Sequence, residues 1–319
     1  MSEAAPATPS SGTPKLRLGT RNSPLAMAQA YETRARLCAA HGWSEAEVEL
    51  VPVVASGDKV LDRPLAEIGG KALWTKELDH WLHSGEIDVA VHSMKDVETL
   101  RPPTLAIAAI LPRADTADRL VGAASIADIP QGATVGTSAP RRAAQLLHAR
   151  PDCKVVSFRG NVATRLAKLE RGEADCTLLA SAGLDRLGED AVGARLDPQV
   201  WLPAPAQGAI GIECRADDSA TRALLAAIDH APSRHAVMAE RALLKALGGN
   251  CHSPIAMLTS ATGDQLTLRC VLFSPDGSER IEASATGRAG EDRWIAGLGD
   301  ELLGRLTPAM APHFGHHAA

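Results

Sequence analysis

The chain has 319 residues, 45% of them hydrophobic, with a formal net charge of -5 and a pI near 6.1. That is enough chain for two or three domains. The acidic balance argues against a protein that coats nucleic acid, and aromatics at 3% are too few for a base-stacking surface.

The opening MSEAAPATPSSGTP has neither the basic start nor the apolar stretch of a signal peptide, and it reads as a frayed tail. No apolar run approaches the length of a membrane span. The six cysteines, Cys38, Cys153, Cys176, Cys214, Cys251 and Cys270, are scattered without a C-x-x-C pair. That pattern fits a reducing compartment and a cytoplasmic protein.

From Lys15 onward, short β-branched runs alternate with helical periods, which predicts α/β architecture. Leu16 to Gly19 reads as a strand, followed by a polar turn and a helix. Ser23 is placed to cap that helix, Pro24 suits its first position and Gly42 its stop. GGKALWTKELDHWLHSGE predicts a second helix with Leu78, Trp81 and Leu82 on one face. Ile87 to Val91 predicts a buried strand that runs into His92-Ser93-Met94-Lys95-Asp96.

An internal echo organises the middle of the chain. GTRNSP at Gly19 to Pro24 resembles GTSAP at Gly136 to Pro140, and GEIDVAVHS at Gly85 to Ser93 resembles GEADCTLLAS at Gly172 to Ser181. The order is the same in both pairs, which predicts two similar α/β lobes with a cleft between them. The competing explanation is that βα turns collect Gly, Ser, Thr and Pro in any protein. After LPAPAQGAIGIECR the pattern changes. Helices from about Thr221 to Leu247 precede strands at Gln265 to Phe273 and Arg280 to Thr286 and a last helix from Glu291 to Leu306, a separate small α+β domain.

Ligands of open α/β sheets bind beyond the carboxyl ends of strands, where helix N-termini offer unpaired N–H groups. The polar residues fall in those places. Arg21 and Ser23 follow the first strand, and Lys95 and Asp96 follow another. Thr137, Ser138, Arg141 and Arg142 follow a third, with Arg159 and Arg165 after VVSF and Arg186 after TLLASAGL. Any one of these arginines is well explained by a surface salt bridge. As a set they point to a small ligand with several negative charges.

Asp96 is out of character in such a cleft. It either pairs with Lys95 or caps a helix, or it stabilises a cation formed during reaction. Lys71, at another helix start, is a second anion contact or a solvated lysine. Cys251 sits in LGGNCHSPI, a Gly-rich turn, where a packing role competes with exposure and a thiolate favoured by His252. One Cys-His pair without partners at ligand spacing predicts no metal site.

VHSMKD, RGNVATRLAKL, ASAGLDRLG, LPAPAQGAIGIECR and ERALLKALGGNCHSPI resemble the porphobilinogen deaminase family, in that family's order and spacing from about Lys15 to beyond Pro275. The resemblance implies two lobes like those of periplasmic binding proteins and a small third α+β domain. It divides the chain into a tail at 1–14, lobe 1 at 15–112 plus 209–226, lobe 2 at 116–202 and a cofactor-attachment domain at 230–319. It implies a transferase that joins four porphobilinogen molecules, with loss of ammonia, into the linear tetrapyrrole hydroxymethylbilane. The primer is a dipyrromethane held through a thioether, by motif position at Cys251.

The same resemblance makes Asp96 the catalytic residue with Lys95 beside it. It assigns Cys251, Ser23, Lys95, Asp96, Thr137, Ser138, Arg141 and Arg142 to the cofactor. Arg21, Arg159, Arg165, Arg186, Lys71 and Gln207 go to the substrate and growing chain. Each pyrrole carries acetate and propionate, and loss of ammonia leaves an azafulvene cation that Asp96 can stabilise. The implied partner is porphobilinogen, with no nucleic acid or membrane, and the implied state a monomer.

Four positions depart from the family pattern. Ala139 and Pro140 replace Ser and Leu, Asn250 stands where Gly is usual before the cysteine, and Glu67 replaces a frequent Lys. Asn tolerates left-handed angles better than most residues. A non-catalytic anion receptor or an effector-binding domain would also have two lobes, but neither accounts for Asp96 together with Cys251.

Overall fold

The computed structural model describes residues 13–53 and 75–315, so Lys71 and Glu67 lie outside the described residues. Strand β1 (Leu16–Arg21) leads into α1 (Pro24–His41) and returns as β2 (Val48–Val53). The Ser23 hydroxyl accepts a hydrogen bond from Ala26 N, Pro24 takes the first turn, and Gly42 ends the helix at φ 66°. Helix α2 (Lys76–Ser84) buries Leu78 and Leu82, with Trp81 packed at the edge of the same cluster. The next strand, β3, runs Val89–Ser93, two residues later than its apolar run suggests. Strand β4 (Leu105–Ile110) and the late strand β10 (Ile210–Arg215) complete a sheet in the order β2-β1-β3-β10-β4.

A second sheet repeats the plan. Strands β5 (Asp118–Val121), β6 (Thr134–Gly136), β7 (Lys154–Val156), β8 (Cys176–Ala180) and β9 (Ala194–Arg195) stand in the order β7-β6-β8-β5-β9. In each sheet the first three strands in this order are parallel and the fourth runs antiparallel to its neighbours. Helices α3 (Pro140–Ala149), α4 (Val162–Glu170) and α5 (Ser181–Arg186) belong to this second lobe.

The echo in the sequence is an echo in register. Gly19 pairs with Ala90 and Gly136 with Thr177. Asp88 accepts from Arg17 N at 2.8 Å, and Asp175 accepts from Thr134 N at 2.7 Å, so each lobe ties its central strands with the same carboxylate.

The third domain is an antiparallel sheet of β11 (Ile255–Thr262), β12 (Gln265–Phe273) and β13 (Arg280–Arg288). Strand β11 was not anticipated. Its second half is a hydroxyl-rich TSAT, exposed from Ser260 on, that hides the strand signal, while Ile255, Ala256 and Met257 are buried. The helical stretch from Thr221 to Leu247 divides into α6 (Ser219–Ala226) and α7 (Ala231–Ala246), with Pro232 in the first turn of the second. Helices α7 and α8 (Arg293–Gly304) cover the sheet over a core that includes Leu243, Leu268, Ile295 and Leu302.

Two crossings join the lobes, near 111–117 and 202–209, and they run side by side: Leu111 N donates to Ile210 O at 3.0 Å. At Gly208 (φ 82°) a side chain would stand 2.7 Å from Ala114 O, so only glycine lets the crossings approach. Glu240 of α7 fastens both. It takes Arg113 on two oxygens, at 2.8 and 2.9 Å, and the backbone N of Ala206 at 2.6 Å. Ala206 is the non-glycine residue at positive φ (57°) among the described residues, held there by that carboxylate.

Candidate active site

Asp96 ends a 3-10 turn, Met94–Asp96, beyond the carboxyl end of β3. Met94 and Val97 sink into a cluster with Ile110, Ala206, Ala209 and Val237, and this burial leaves Asp96 exposed at the lobe face. Arg21, Ser23, Gln29, His92 and Ser93 line the same cavity as Asp96. Lys95 is tucked in beside it. Burial pushes its ammonium below the ordinary lysine range; Asp96 opposes this, while Arg142 and Arg165 add to it.

Across the cleft, Arg165 on α4 donates from Nε to Gly160 O at 3.0 Å. Burial pushes its guanidinium down to about 10; Arg142 adds to the shift and Asp96 opposes it. Lys95, Arg142, Arg165 and Asp96 therefore share one electrostatic neighbourhood, although they come from two lobes. A buried cation with so little compensation is stabilised by any anion brought beside it.

Arg141 and Arg142 have a different immediate partner from the one expected. Both are 4% exposed and converge on Asp118, which is fully buried at the start of β5. Arg142 is bidentate, with Nη2 to Oδ1 at 2.7 Å and Nε to Oδ2 at 3.2 Å, and Arg141 Nη1 reaches Oδ2 at 2.7 Å. Trp201 Nε1 donates to the same carboxylate at 2.9 Å, as does Gln207 Nε2. Burial alone would push the Asp118 carboxyl up, but the two guanidiniums outweigh it and hold it well below the usual range. Gln207, 1% exposed, has its amide engaged inside this cluster and not on the cleft surface.

The remaining predicted residues, Thr137, Ser138, Arg159 and Arg186, belong to lobe 2. Thr137 is buried and its hydroxyl accepts from Ala139 N at 3.2 Å, which serves the turn whose own capping hydroxyl is absent at Ala139. Ser138 is exposed and donates to Phe158 O at 2.8 Å. Arg159 is half-buried. Arg186 bridges the lobes, with Nη2 on Gly208 O at 3.0 Å and Nε 3.6 Å from Glu32 of α1. Asp118, Trp201 and Glu32 were missed by motif reading. The available signal for Asp118 was a carboxylate opening a short apolar strand, which must find cations if it is buried.

Cys251 is the exposed cysteine among the six. Its loop is anchored at Gly248 (φ 62°), where a side chain would stand 2.1 Å from Gly315 O. Thr99 Oγ1 donates to Gly249 O at 2.9 Å, and Arg241 donates to the carbonyls of Val97, Glu98 and Thr99. The loop is thereby tied to the segment that follows Asp96. The sequence leaves two points open at this loop. Surrounding protein, and then Asp96, push the Cys251 thiol up, so it is not a thiolate favoured by His252. Asn250 is not left-handed; it accepts from His252 N on Oδ1 at 2.8 Å, a side-chain turn that a glycine cannot make. Among the described residues, no group of three His, Cys, Asp or Glu could hold a metal ion, and no helix is long and apolar enough to cross a membrane.

Residues 16–223 match the family model for the porphobilinogen deaminase dipyromethane cofactor binding domain, and residues 235–302 match that for the porphobilinogen deaminase C-terminal domain. The chain is 55% identical over 301 residues to a porphobilinogen deaminase of Sphingopyxis alaskensis, covering 92% of this chain and 95% of the relative. It is 52% identical over 295 residues to one of Paracoccus denitrificans, covering 91% and 94%. Among solved structures it is similar to a periplasmic sulfonate-binding protein of Methylobacillus flagellatus, at 17% identity and TM-score 0.40, over 71% of this chain and 66% of that one.

Proposed function

The chain belongs to the porphobilinogen deaminase family, and from that membership we propose how its own residues carry the reaction. The activity is the assembly of four porphobilinogen molecules, with loss of ammonia, into hydroxymethylbilane on a dipyrromethane primer. The observation that carries our assignment is that an exposed cysteine of the third domain and an exposed carboxylate of lobe 1 share one electrostatic neighbourhood with Lys95 and Arg165.

The residues fit the primer. Its two rings would carry acetate and propionate groups, and the cleft offers Lys95 and Arg165, cations that burial has left under-compensated. Cys251 is the attachment point. Its sulfur takes the place of the amino nitrogen on the aminomethyl carbon, and the thiol proton leaves with ammonia. A protonated thiol suits that exchange, because it supplies the proton that the departing nitrogen needs. When bound, the dipyrromethane supplies the free pyrrole carbon to which the next unit adds.

Asp96 acts on the incoming porphobilinogen. It lies where positive charge develops as ammonia leaves, and it is not neutralised by a direct ion pair among the described residues. Its oxygens can also accept from pyrrole N–H groups. Arg142, Lys95, Arg165, Arg21 and Arg159 hold the acidic side chains, with the Ser23 and Ser138 hydroxyls at the two lobe edges. Thr137 shapes the Ser138 turn, and Arg186 holds the lobes together at the far end. Arg141 and Gln207 act at one remove, by orienting Arg142. Lys71 is retained as an anion contact on the resemblance alone.

This chain supplies both walls of the cleft and the cysteine loop, so the site needs no second copy, and we assign a monomer. The unpaired cysteines suit the cytoplasm. The test is intact mass. Purified protein should exceed its sequence mass by two linked pyrrole units, carried on the peptide containing Cys251. Cys251→Ser should lack that mass and nearly all activity. An active enzyme of unmodified mass would overturn the assignment.

A further inference from the structure

The Asp118 cluster has more donors than an ion pair requires. Four side chains, Arg141, Arg142, Trp201 and Gln207, point N–H groups at one carboxylate. The other donors of the two guanidiniums go largely to backbone: Arg141 Nη1 to Leu202 O and Arg142 Nη1 to Leu178 O, at 3.1 and 2.9 Å. Arg141 Nε is left buried without a partner. A guanidinium has five N–H donors, so each arginine keeps part of its set uncommitted while its plane is fixed. Asp118 therefore orients these cations without saturating them.

The charge count has a consequence for elongation. Arg141 and Arg142 bring two positive charges to the cluster and Asp118 one negative, a net of +1. Removing the Asp118 charge would raise that to +2. A primer-bound chain that gains acidic groups with each addition must be held, yet it must also shift so that its new end returns to Asp96. A cleft that binds every carboxylate as tightly as possible would stall it, because strong binding of the intermediate raises the barrier to the next step.

We propose that Asp118 is a positioning residue that sets how tightly the cleft grips the growing chain: it aims Arg142 at the chain and cancels one of the two guanidinium charges behind it. The inference rests on the reading that Arg142 faces the chain.

The experiment compares wild type, Asp118→Asn, the double variant Asp118→Asn with Arg141→Met, and Arg142→Leu. Each is followed by steady-state kinetics and by mass spectra of the enzyme-bound intermediates during turnover. In Asp118→Asn, kcat is expected to fall by about tenfold or more with KM unchanged or lowered, as for an intermediate held too firmly. Partly elongated enzyme should accumulate. Because the excess grip is electrostatic, raising the salt should restore turnover at least in part, by roughly threefold over the accessible range.

The double variant restores the cluster's net charge of +1 and should relieve the stall relative to Asp118→Asn. It also keeps the inference testable if the single variant does not fold, since two guanidiniums around a neutral amide are a costly burial. A wild-type ladder of intermediates in Asp118→Asn would overturn the proposal. So would a double variant that stalls as wild type does not and ignores salt, because Asp118 would then act through packing alone. If Arg142→Leu changes the ladder while the Asp118 variants do not, this inference fails and the assignment of Arg142 stands. If Arg142→Leu also leaves the ladder unchanged, the underlying reading fails too.

Discussion

Both lobes bury a carboxylate on the strand that runs antiparallel to its neighbours, but at different depths. In lobe 1 it is Glu213 on β10, paired in register with Ala90; in lobe 2 it is Asp118 on β5, paired with Ala180. Ala90 corresponds to Thr177, since Gly19 pairs with the first and Gly136 with the second. Asp118 thus stands three residues nearer the cleft, about 10 Å along a strand. The difference decides what each acid can do. Glu213 meets His92 and Arg101 inside lobe 1, whereas Asp118 meets arginines that share a field with Lys95. Lobe 1 sets an exposed carboxylate, Asp96, among its cations Lys95 and Arg21, whereas lobe 2 turns its carboxylate inward behind Arg141 and Arg142. One scaffold, used twice, makes two walls of complementary character.

That contrast is broken most directly at Asp96. Asp96→Asn keeps the shape and removes the charge, so kcat should fall by about 10²–10³. Because the side chain is exposed, the melting temperature should move by no more than about 2 °C. Near-normal turnover in a folded Asn variant would remove Asp96 from the chemistry. An equally large loss of stability would make it structural, like its buried counterparts.

Glu213 should behave in the opposite way. Burial raises its carboxyl, but His92 and Arg101 outweigh this and bring it down to about 2. A depressed acid stabilises the fold above its unfolded pKa, and that contribution fades as pH falls through the folded value. The gap corresponds to about 3 kcal/mol at neutral pH. Glu213→Gln should lose roughly that amount at pH 7, and urea unfolding curves for variant and wild type should draw together between about pH 4.5 and 2. A pH-independent gap would mean that the carboxylate charge is not what holds β3 and β10.

How far these features were legible depends on whether they are local. The lobe repeat could be read because a strand end, a glycine and a helix start lie within a few residues, and the register confirms the correspondence at Gly19 and Gly136. Cys251 could be singled out because two glycines precede it. The placement of Asp118 could not, since its partners lie 23, 24, 83 and 89 residues away. A run of arginines after a strand looks the same whether it faces ligand or a buried acid. The state of the Cys251 thiol is open in the sequence for a related reason: what pushes it up, burial first and then Asp96, is set by neighbours in space.

Arg165 sharpens the comparison from the cation side. Arg141 and Arg142 have a buried carboxylate, while Arg165 has been pushed down to about 10 with Asp96 as its opposing charge. Arg165→Leu should therefore lower turnover by about 10- to 100-fold, the loss of a charge-assisted contact to the chain. The protein lacking primer should gain about 1 kcal/mol, because an under-compensated charge leaves a partly buried site. Thermal unfolding of the primer-free form checks the sign. A loss of stability would show that Arg165 supports the fold rather than waiting for an anion.

The smallest expected effect tests the loop that brings the third domain to the meeting point of the two walls. Asn250 closes the turn by accepting from the His252 amide at 2.8 Å, and its own N–H donates to Ser253 Oγ at 3.1 Å. Asn250→Gly removes the first bond and keeps the second, and it loosens the backbone in the unfolded state as well. The stability cost should be about 0.5–1 kcal/mol. Turnover should change by less than about threefold, because Gly248 and the Thr99 to Gly249 bond still hold the loop beside Asp96. Hydrogen exchange at the His252 amide is the specific readout: it should quicken by about 10-fold or less in the Gly variant, in step with the lost bond. Unchanged exchange would mean that the Asn side chain does not hold the turn, and that the glycines alone bring Cys251 to its position.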